Sequence, residues 1–315
     1  MPMAGPVPKT SEQAAFRNEF LLPHYWPTWL LLFGMWTAAQ LPFRLQMGLG
    51  RQLGLLSYHL ARERRHICEV NLRLCFPELN EAEHRRLVRE TFISNGIGFI
   101  EIAISWYRDV EDYRSRVKVT GFENVEKAAA QGKGVLLVGA HFSTLEFGGF
   151  LFNLVGDMDV TYRPNKNRLF QAAMLKGRER YYPHVLERED VRGAMRSLKN
   201  GRILWYAPDQ DYGARHSVYV PFFGVSAATI TATSRFARIN DSAVVMYSHY
   251  RNADNSGYHL YFSEALENYP SGDDVADATR INALVEAAVR KHPEQYLWLH
   301  KRFKTQAEGV AARPY

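Results

Sequence analysis

The chain reads as an α/β protein: a largely parallel sheet flanked by helices, preceded by an N-terminal helical membrane anchor. Three observations predict this. After Arg116, short runs of branched and aromatic residues alternate with segments of helical period, the pattern of repeated βα units. From Arg44 to Tyr107, charges interleave with Leu, Val and Ile at helical spacing. Ahead of that stands Trp26–Leu41, which carries no charged side chain.

The elements follow in order. Residues 1–24, polar and proline-bearing at their start, are expected to form a mobile tail. Residues 25–47 are expected to be the anchor. Their apolar stretch, residues 26–41, is 16 residues long, against about 20 for a comfortable span. Tilt, or extension through Pro42-Phe43 toward Leu45, closes the gap, and Trp26, Trp29 and Trp36 suit an interfacial belt. The alternative is a buried core helix. More Lys and Arg follow this segment than precede it, which places the body of the protein in the cytoplasm. Residues 48–315 form the main domain, with a helical lead-in over 48–115 and an α/β core over 116–315. Within the core, strands are expected at Val117–Thr120, Gly134–Ala140, Asp159–Tyr162, Ile203–Ala207, Ser242–Tyr250 and Tyr258–Glu264, the last two as an antiparallel hairpin. Helices are expected at Glu123–Gln131, Thr144–Leu154, Leu169–Arg178, Val191–Asn200, Thr229–Asn240 and Val275–Lys291. The run Gly48-Leu-Gly50-Arg-Gln-Leu-Gly54 has the look of a dinucleotide loop, but its spacing is wrong and it follows a helical segment.

Composition bounds the partners. At 46% apolar and 23% charged, the chain is neither disordered nor polytopic. Its 17 Tyr and 18 Phe suit a lipid-facing groove or an aromatic core. The net charge of +6 is scattered, with short clusters at Arg62, Arg64, Arg65 and at Arg85, Arg86, so the expected acidic partner is an anionic membrane rather than nucleic acid. Cys68 and Cys75 are seven apart in a helical region, on one face but too distant for a disulfide, and no zinc-ligand spacing occurs. A reducing compartment without a structural metal is expected.

The chemistry centres on Gly139-Ala140-His141-Phe142-Ser143-Thr144-Leu145-Glu146. His141 stands where a strand gives way to a helix, the edge at which α/β folds place ligand sites. A histidine with a nearby carboxylate suits general base catalysis, the carboxylate orienting the imidazole. Spacing alone decides little: His184/Glu189, His249/Asp254 and His259/Glu264 share it. Only His141/Glu146 straddles a strand-to-helix junction. Ser143-Thr-Leu-Glu146 also fits a helix capping box.

Further blocks supply context: Thr161-Tyr-Arg163-Pro-Asn-Lys-Asn167, Trp205-Tyr-Ala-Pro-Asp209-Gln-Asp-Tyr-Gly213, and Pro293-Glu-Gln-Tyr-Leu-Trp-Leu-His300-Lys-Arg-Phe-Lys-Thr305. Together with the His141 block, they resemble the late lipid A biosynthesis acyltransferases, the lauroyl/palmitoleoyl branch, from the anchor to the C-terminus. That resemblance implies a glycerolipid-acyltransferase-like fold at the bacterial inner membrane, with the catalytic domain facing the cytoplasm. It implies His141 and Glu146 as the catalytic pair, with Arg178 and Asp209 at positions where the family needs charged residues; Tyr162 and Arg163 are further candidates, Arg163 for supporting or binding substrate, against a turn and packing role. It further implies an acyl carrier protein thioester as donor, the lipid A precursor Kdo2-lipid IVA as acceptor, and no cofactor or metal. Two positions depart from the family pattern: Asn167-Arg168, where many relatives carry Asn-Pro or Asn-Gln, and Lys301, where Arg is usual.

The implied step is proton removal from a 3-hydroxyacyl hydroxyl by His141, with direct attack on the thioester. No Gly-x-Ser-x-Gly elbow or catalytic-cysteine signature suggests an acyl-enzyme. Arg178 would hold a phosphate, steady an oxyanion, or form a structural ion pair with a carboxylate. His300, Lys301, Arg302 and Lys304 make a basic cluster, a solvated face or a headgroup or carrier contact. Two other readings stay open: a lysophospholipid acyltransferase of the same superfamily, and a catalytically silent lipid-binding membrane protein.

Overall fold

The computed structural model describes residues 14–307, 314 and 315. Of the expected tail, residues 1–13 lie outside the described residues. From Ala14 onward the chain is packed: 3-10 turns at Asn18–Leu21 and Pro23–Tyr25 bury Phe20 and Tyr25.

Four helices lead in. They are α1 (Trp26–Gln40), α2 (Phe43–Leu60), α3 (Arg62–Cys75) and α4 (Glu81–Tyr107). Among the described residues no helix is long and apolar enough to cross a membrane. The expected spanning anchor at residues 25–47 is therefore not formed, for two physical reasons. At 15 residues and 1.5 Å rise, α1 spans only about 22 Å, against a hydrocarbon core of about 30 Å. Pro42 then breaks the helical path before α2. In addition, one face of α1 is buried along its length through Thr28, Leu32, Met35, Ala38 and Ala39. Leu32, Met35 and Ala39 share a core cluster with Ala103 and Trp106 of α4.

The glycine run set aside as a nucleotide loop has a packing role instead. A Cβ on Gly54 would sit 2.5 Å from the Cα of Ile93, and one on Gly96 would sit 2.3 Å from the backbone nitrogen of Gly54. Only bare backbone lets α2 approach α4 this closely. α4 begins with a capping box, Asn80 accepting from the amides of Ala82 and Glu83 while Glu83 accepts from Asn80.

Beyond a 3-10 segment at Val110–Arg116, strands and helices alternate. The strands are β1 (Val117–Thr120), β2 (Val135–Val138), β3 (Asp159–Tyr162), β4 (Val185–Glu187), β5 (Ile203–Tyr206), β6 (Ser217–Phe222), β7 (Val225–Ile230), β8 (Ala243–Arg251) and β9 (Tyr258–Ala265). The helices are α5 (Phe122–Ala129), α6 (Leu145–Phe152), α7 (Arg168–Arg178), α8 (Val191–Lys199), α9 (Ala232–Ala237) and α10 (Asp274–Lys291). The main sheet runs β1-β9-β8-β2-β5-β3-β4 and is parallel except between β8 and β9. Central strand β2 is buried on both faces, Leu136 and Val138 joining one core and Val135 and Leu137 the other. That two-sided burial explains its unbroken apolar run.

One expected helix, Thr229–Asn240, forms only in its middle, as α9 at Ala232–Ala237. Thr229 and Ile230 end β7, which pairs with β6 as a separate hairpin, and α9 is only a remnant of the expected helix. The turn uses left-handed backbone at both Phe223 and Gly224, the geometry of a two-residue hairpin turn. Pro221 inside β6 and a phenylalanine in the turn hide this hairpin from sequence rules.

Candidate active site

The parallel strands deliver the site. β2 and β5 are neighbours, in register from Val135/Ile203 to Val138/Tyr206, so the loops leaving their carboxyl ends meet. The first loop carries His141 and the second Asp209. Asp209 Oδ1 accepts from the ring Nδ1 of His141 at 2.6 Å, and its Oδ2 accepts from the His141 backbone N–H at 2.8 Å. Asp209 is buried, while the His141 side chain keeps 23% of its surface. Burial alone would raise the Asp209 carboxyl. The charge of His141, its two hydrogen bonds and one from Tyr296 outweigh that and hold it below the ordinary value. An ionised carboxylate can only accept, so Nδ1 carries a proton, and the tautomer of the neutral ring that fits this bond has its lone pair on Nε2.

The backbone of His141 is pinned from its other side. Its carbonyl accepts from Leu297 N–H at 2.9 Å, and Ser143 N–H donates to Gln295 at 2.6 Å. The C-terminal block thus lies antiparallel to the His141 loop and brings Tyr296 and His300 to a small cavity of about 10 Å³ shared with His141 and Asp209. The second acid of the Asp209-Gln-Asp211 loop fixes that block: Asp211 accepts from the backbone N–H and the hydroxyl of Thr305, each at 2.8 Å. Within the expected basic cluster, Arg302 is buried, donating to Ala228 O and Thr229 Oγ1.

Glu146 does something other than orient His141. It sits in the first turn of α6, buried, with its oxygens bonded to Arg178 and Trp106. Oε1 accepts from Arg178 Nε at 2.8 Å and from Trp106 Nε1 at 3.0 Å, and Oε2 pairs with Arg178 Nη2. Burial would raise this carboxyl, but the Arg178 charge and the three donors hold it below its ordinary value, while Glu146 raises Arg178 despite its burial. The orienting carboxylate for His141 is Asp209. Nor is Glu146 in a capping box: the cap of α6 has no side-chain hydrogen bond, and Ser143 pairs with Ser94 Oγ at 2.7 Å.

The two pairs are neighbours. The Trp205 ring lies edge-on to His141, centroids 6.4 Å apart, and lines a narrow cleft with Glu146, Arg178 and Tyr182. On the far side, Trp106 also walls an apolar groove of about 530 Å³ between α1, α4 and α7, lined by Phe20, Trp29, Leu32, Trp36 and Leu169 among others. Arg163 stands apart, exposed on the turn after β3. That turn is organised by its asparagines: Asn167 caps α7 and donates to Thr28 of α1 at 2.7 Å.

The decoy histidines resolve simply. His249 is buried against Thr144, Nδ1 to Oγ1 2.8 Å, and burial pushes it down to about 3, so it is neutral. His184 bonds the buried Asp159, and His259 bonds Thr120. Among the described residues there is no cluster of three or more potential metal ligands. Trp106, Tyr182 and Trp205 escaped sequence reasoning, because lone aromatics at element ends carry no local signal.

This geometry, a carboxylate-held histidine beside a buried ion pair and an apolar groove, can be set against known proteins. The model of the bacterial lipid A biosynthesis acyltransferases matches residues 13–305. The chain is 40% identical over 299 residues to the lipid A biosynthesis lauroyltransferase of Escherichia coli (strain K12), covering 95% of this chain and 98% of that one. It is 37% identical over 301 residues to the palmitoleoyltransferase of the same strain, with the same coverage of both chains. A lipid A biosynthesis acyltransferase of Haemophilus influenzae (strain ATCC 51907 / DSM 11121 / KW20 / Rd) is 34% identical over 304 residues, 95% of this chain and 97% of its own. With a family match over nearly its whole length and relatives this similar, the chain belongs to the bacterial lipid A biosynthesis acyltransferase family and is an acyltransferase.

Proposed function

We propose that the chain transfers a fatty acyl group from an acyl carrier protein thioester to a 3-hydroxyacyl hydroxyl of Kdo2-lipid IVA, at the cytoplasmic face of the inner membrane. The observation that carries this reading is the His141–Asp209 pair at the carboxyl edge of the sheet, which turns the basic Nε2 outward.

In this mechanism Nε2 takes the hydroxyl proton as the alkoxide oxygen attacks the thioester carbonyl. The carbon–sulfur bond breaks, and the departing thiolate recovers the proton from the imidazolium. Asp209 keeps Nδ1 protonated and supports the transient cation. A thioester is already activated, so no acyl-enzyme is needed. Glu146 is a positioning residue that fixes the Arg178 guanidinium through Nε and Nη2. Nη1 then faces an oxygen of donor or acceptor, charge-assisted recognition suited to a buried arginine. The acyl chain occupies the apolar groove, whose volume falls in the usual range for ligand sites, and the Trp106 indole joins groove to ion pair. Arg163 contributes charge at the rim toward the acceptor's anionic groups.

The test is incubation of purified protein with Kdo2-lipid IVA and a panel of acyl carrier protein thioesters, with the product read by mass spectrometry. One added acyl chain is expected, and His141→Ala should lower turnover about 10²–10⁴-fold. Turnover of that variant within a few-fold of wild type would refute the role of His141.

A further inference from the structure

The chain between Glu19 and Glu63 contains no acidic residue. Its second half is α2, which sequence reading assigned mostly to the lead-in of the main domain. α2 packs one face on α4 through Met47, Gly50 and Gly54, while Gln46 donates to the carbonyls of Ala38 and Ala39 in α1. A second face, about 140° round the helix from Met47 and the two glycines, is apolar and open. Leu45, Leu49, Leu56 and Leu60 are 58%, 38%, 55% and 72% exposed, and at 3.6 residues per turn they fall within an arc of about 60°. Arg44 and Arg51, both exposed, lie together on the open side of α2, about 100–120° round the helix from the near edge of that stripe, with Gly48, Gln52 and His59 between, and exposed Arg62 and Arg64 bracket Glu63 just beyond the helix.

The stripe is continuous in chain with another uncovered apolar face. α1 exposes Trp26, Leu30, Leu31, Phe33 and Trp36, while its Thr28–Ala39 face holds the body. The ~530 Å³ groove between α1, α4 and α7 opens beside this α1 face, with Trp29, Phe33 and Trp36 in its wall. Apolar residues on this scale are a docking surface rather than ordinary exposure. The composition selects the occupant: leucines and tryptophans on a segment, residues 20–62, that has no carboxylate and carries Arg44 and Arg51 on the open side of α2 match an anionic lipid surface, where the long Arg side chains reach phosphates and the apolar side chains enter the acyl region. An acidic protein partner calls for a denser basic face than two arginines along α2.

We infer that α2 lies in the plane of the bilayer interface, its leucine stripe immersed beside the uncovered face of α1, so that the groove opens toward the lipid. The inference deepens the membrane part of the proposed function and rests on the acceptor being a membrane lipid. Residues of the main domain beyond position 47 thus hold the membrane, and α2 fixes the height and tilt of the site above it.

The experiment is vesicle co-flotation of the full chain. Wild type is expected to bind phosphatidylglycerol-containing vesicles. Leu49→Gln with Leu56→Gln should weaken partitioning about 100-fold, about tenfold for each leucine removed from the acyl region. Arg44→Gln with Arg51→Gln should weaken binding to those vesicles and leave binding to phosphatidylcholine vesicles unchanged. Near-ultraviolet circular dichroism and the thermal midpoint establish that both variants fold. Partitioning of the leucine variant within about threefold of wild type would overturn the inference. So would a wild-type dimer in solution that the leucine change dissociates without affecting flotation, since the stripe would then cover a second copy. Acyl transfer by wild type from detergent micelles is measured separately. Its failure would remove the catalytic reading, while leucine-dependent flotation would still support the membrane surface.

Discussion

Replacing Asp209 with asparagine asks which carboxylate serves His141. Two N–H donors converge on Asp209, the ring Nδ1–H at 2.6 Å and the His141 backbone N–H at 2.8 Å. A carboxylate accepts both, whereas an amide has one acceptor oxygen and one donor group. In Asp209→Asn either the backbone N–H faces an NH2, or the ring changes tautomer and places its proton on Nε2. The first outcome loses a charge-assisted bond, about 1.5–3 kcal/mol, or one to two decades in rate at about 1.4 kcal/mol per decade. The second removes the base outright. The expected fall in kcat is therefore about 10²–10⁴-fold with KM little changed. Initial rates of acyl transfer to the lipid acceptor across a concentration series measure both constants, with circular dichroism as the check on folding. Retention of kcat within threefold would refute the assignment of Asp209 as the orienting group.

Four further outcomes are expected. Gly96→Ala puts a methyl 2.3 Å from the backbone of Gly54 and should cost about 1–3 kcal/mol by forcing α2 and α4 apart, read as a lowered urea midpoint. Glu101→Ala strands the buried Arg251, which now bonds Glu101 at 2.7 and 2.8 Å while Tyr258 donates at 2.6 Å; a loss of about 3–5 kcal/mol is expected in the same assay. Glu146 and Asp209 are both held below their ordinary values of 4.5 and 3.8. Their contribution to stability is thus fully present above those values and lost as pH falls through the lower folded-state ones, so the thermal midpoint should drop below about pH 4 and less so in Glu146→Gln. Cys68 and Cys75 are buried, and burial pushes both thiols up; both should resist a thiol reagent at neutral pH until denaturant is added.

Much of the fold was legible because its signals are local. Strands Val117–Thr120 and Asp159–Tyr162 coincide with their expected bounds, and the antiparallel Ser242–Glu264 hairpin forms as β8 and β9. Each is a short apolar or alternating run bounded by turn residues, which periodicity reads directly. The β6–β7 hairpin was not legible, since Pro221 and the left-handed Phe223 contradict local preference and are held by contacts from afar, among them Glu286 accepting from the Phe223 amide at 2.7 Å. The anchor misled for a related reason: sequence reports the hydrophobicity of residues 26–41, but not that one face of α1 is committed to α4.

Local pattern was enough to read the alternation of strand and helix, to put His141 just past a strand at the ligand edge of the sheet, and to set His141, Glu146, Arg178 and Asp209 in blocks resembling one enzyme family. Only the tertiary structure decided the pairing. Strand order sets β5 beside β2 and so brings Asp209, 68 positions away, to His141, while α7 turns Arg178 onto Glu146. Which carboxylate meets which partner depends on sheet register and helix packing, long-range quantities with no trace in residue spacing.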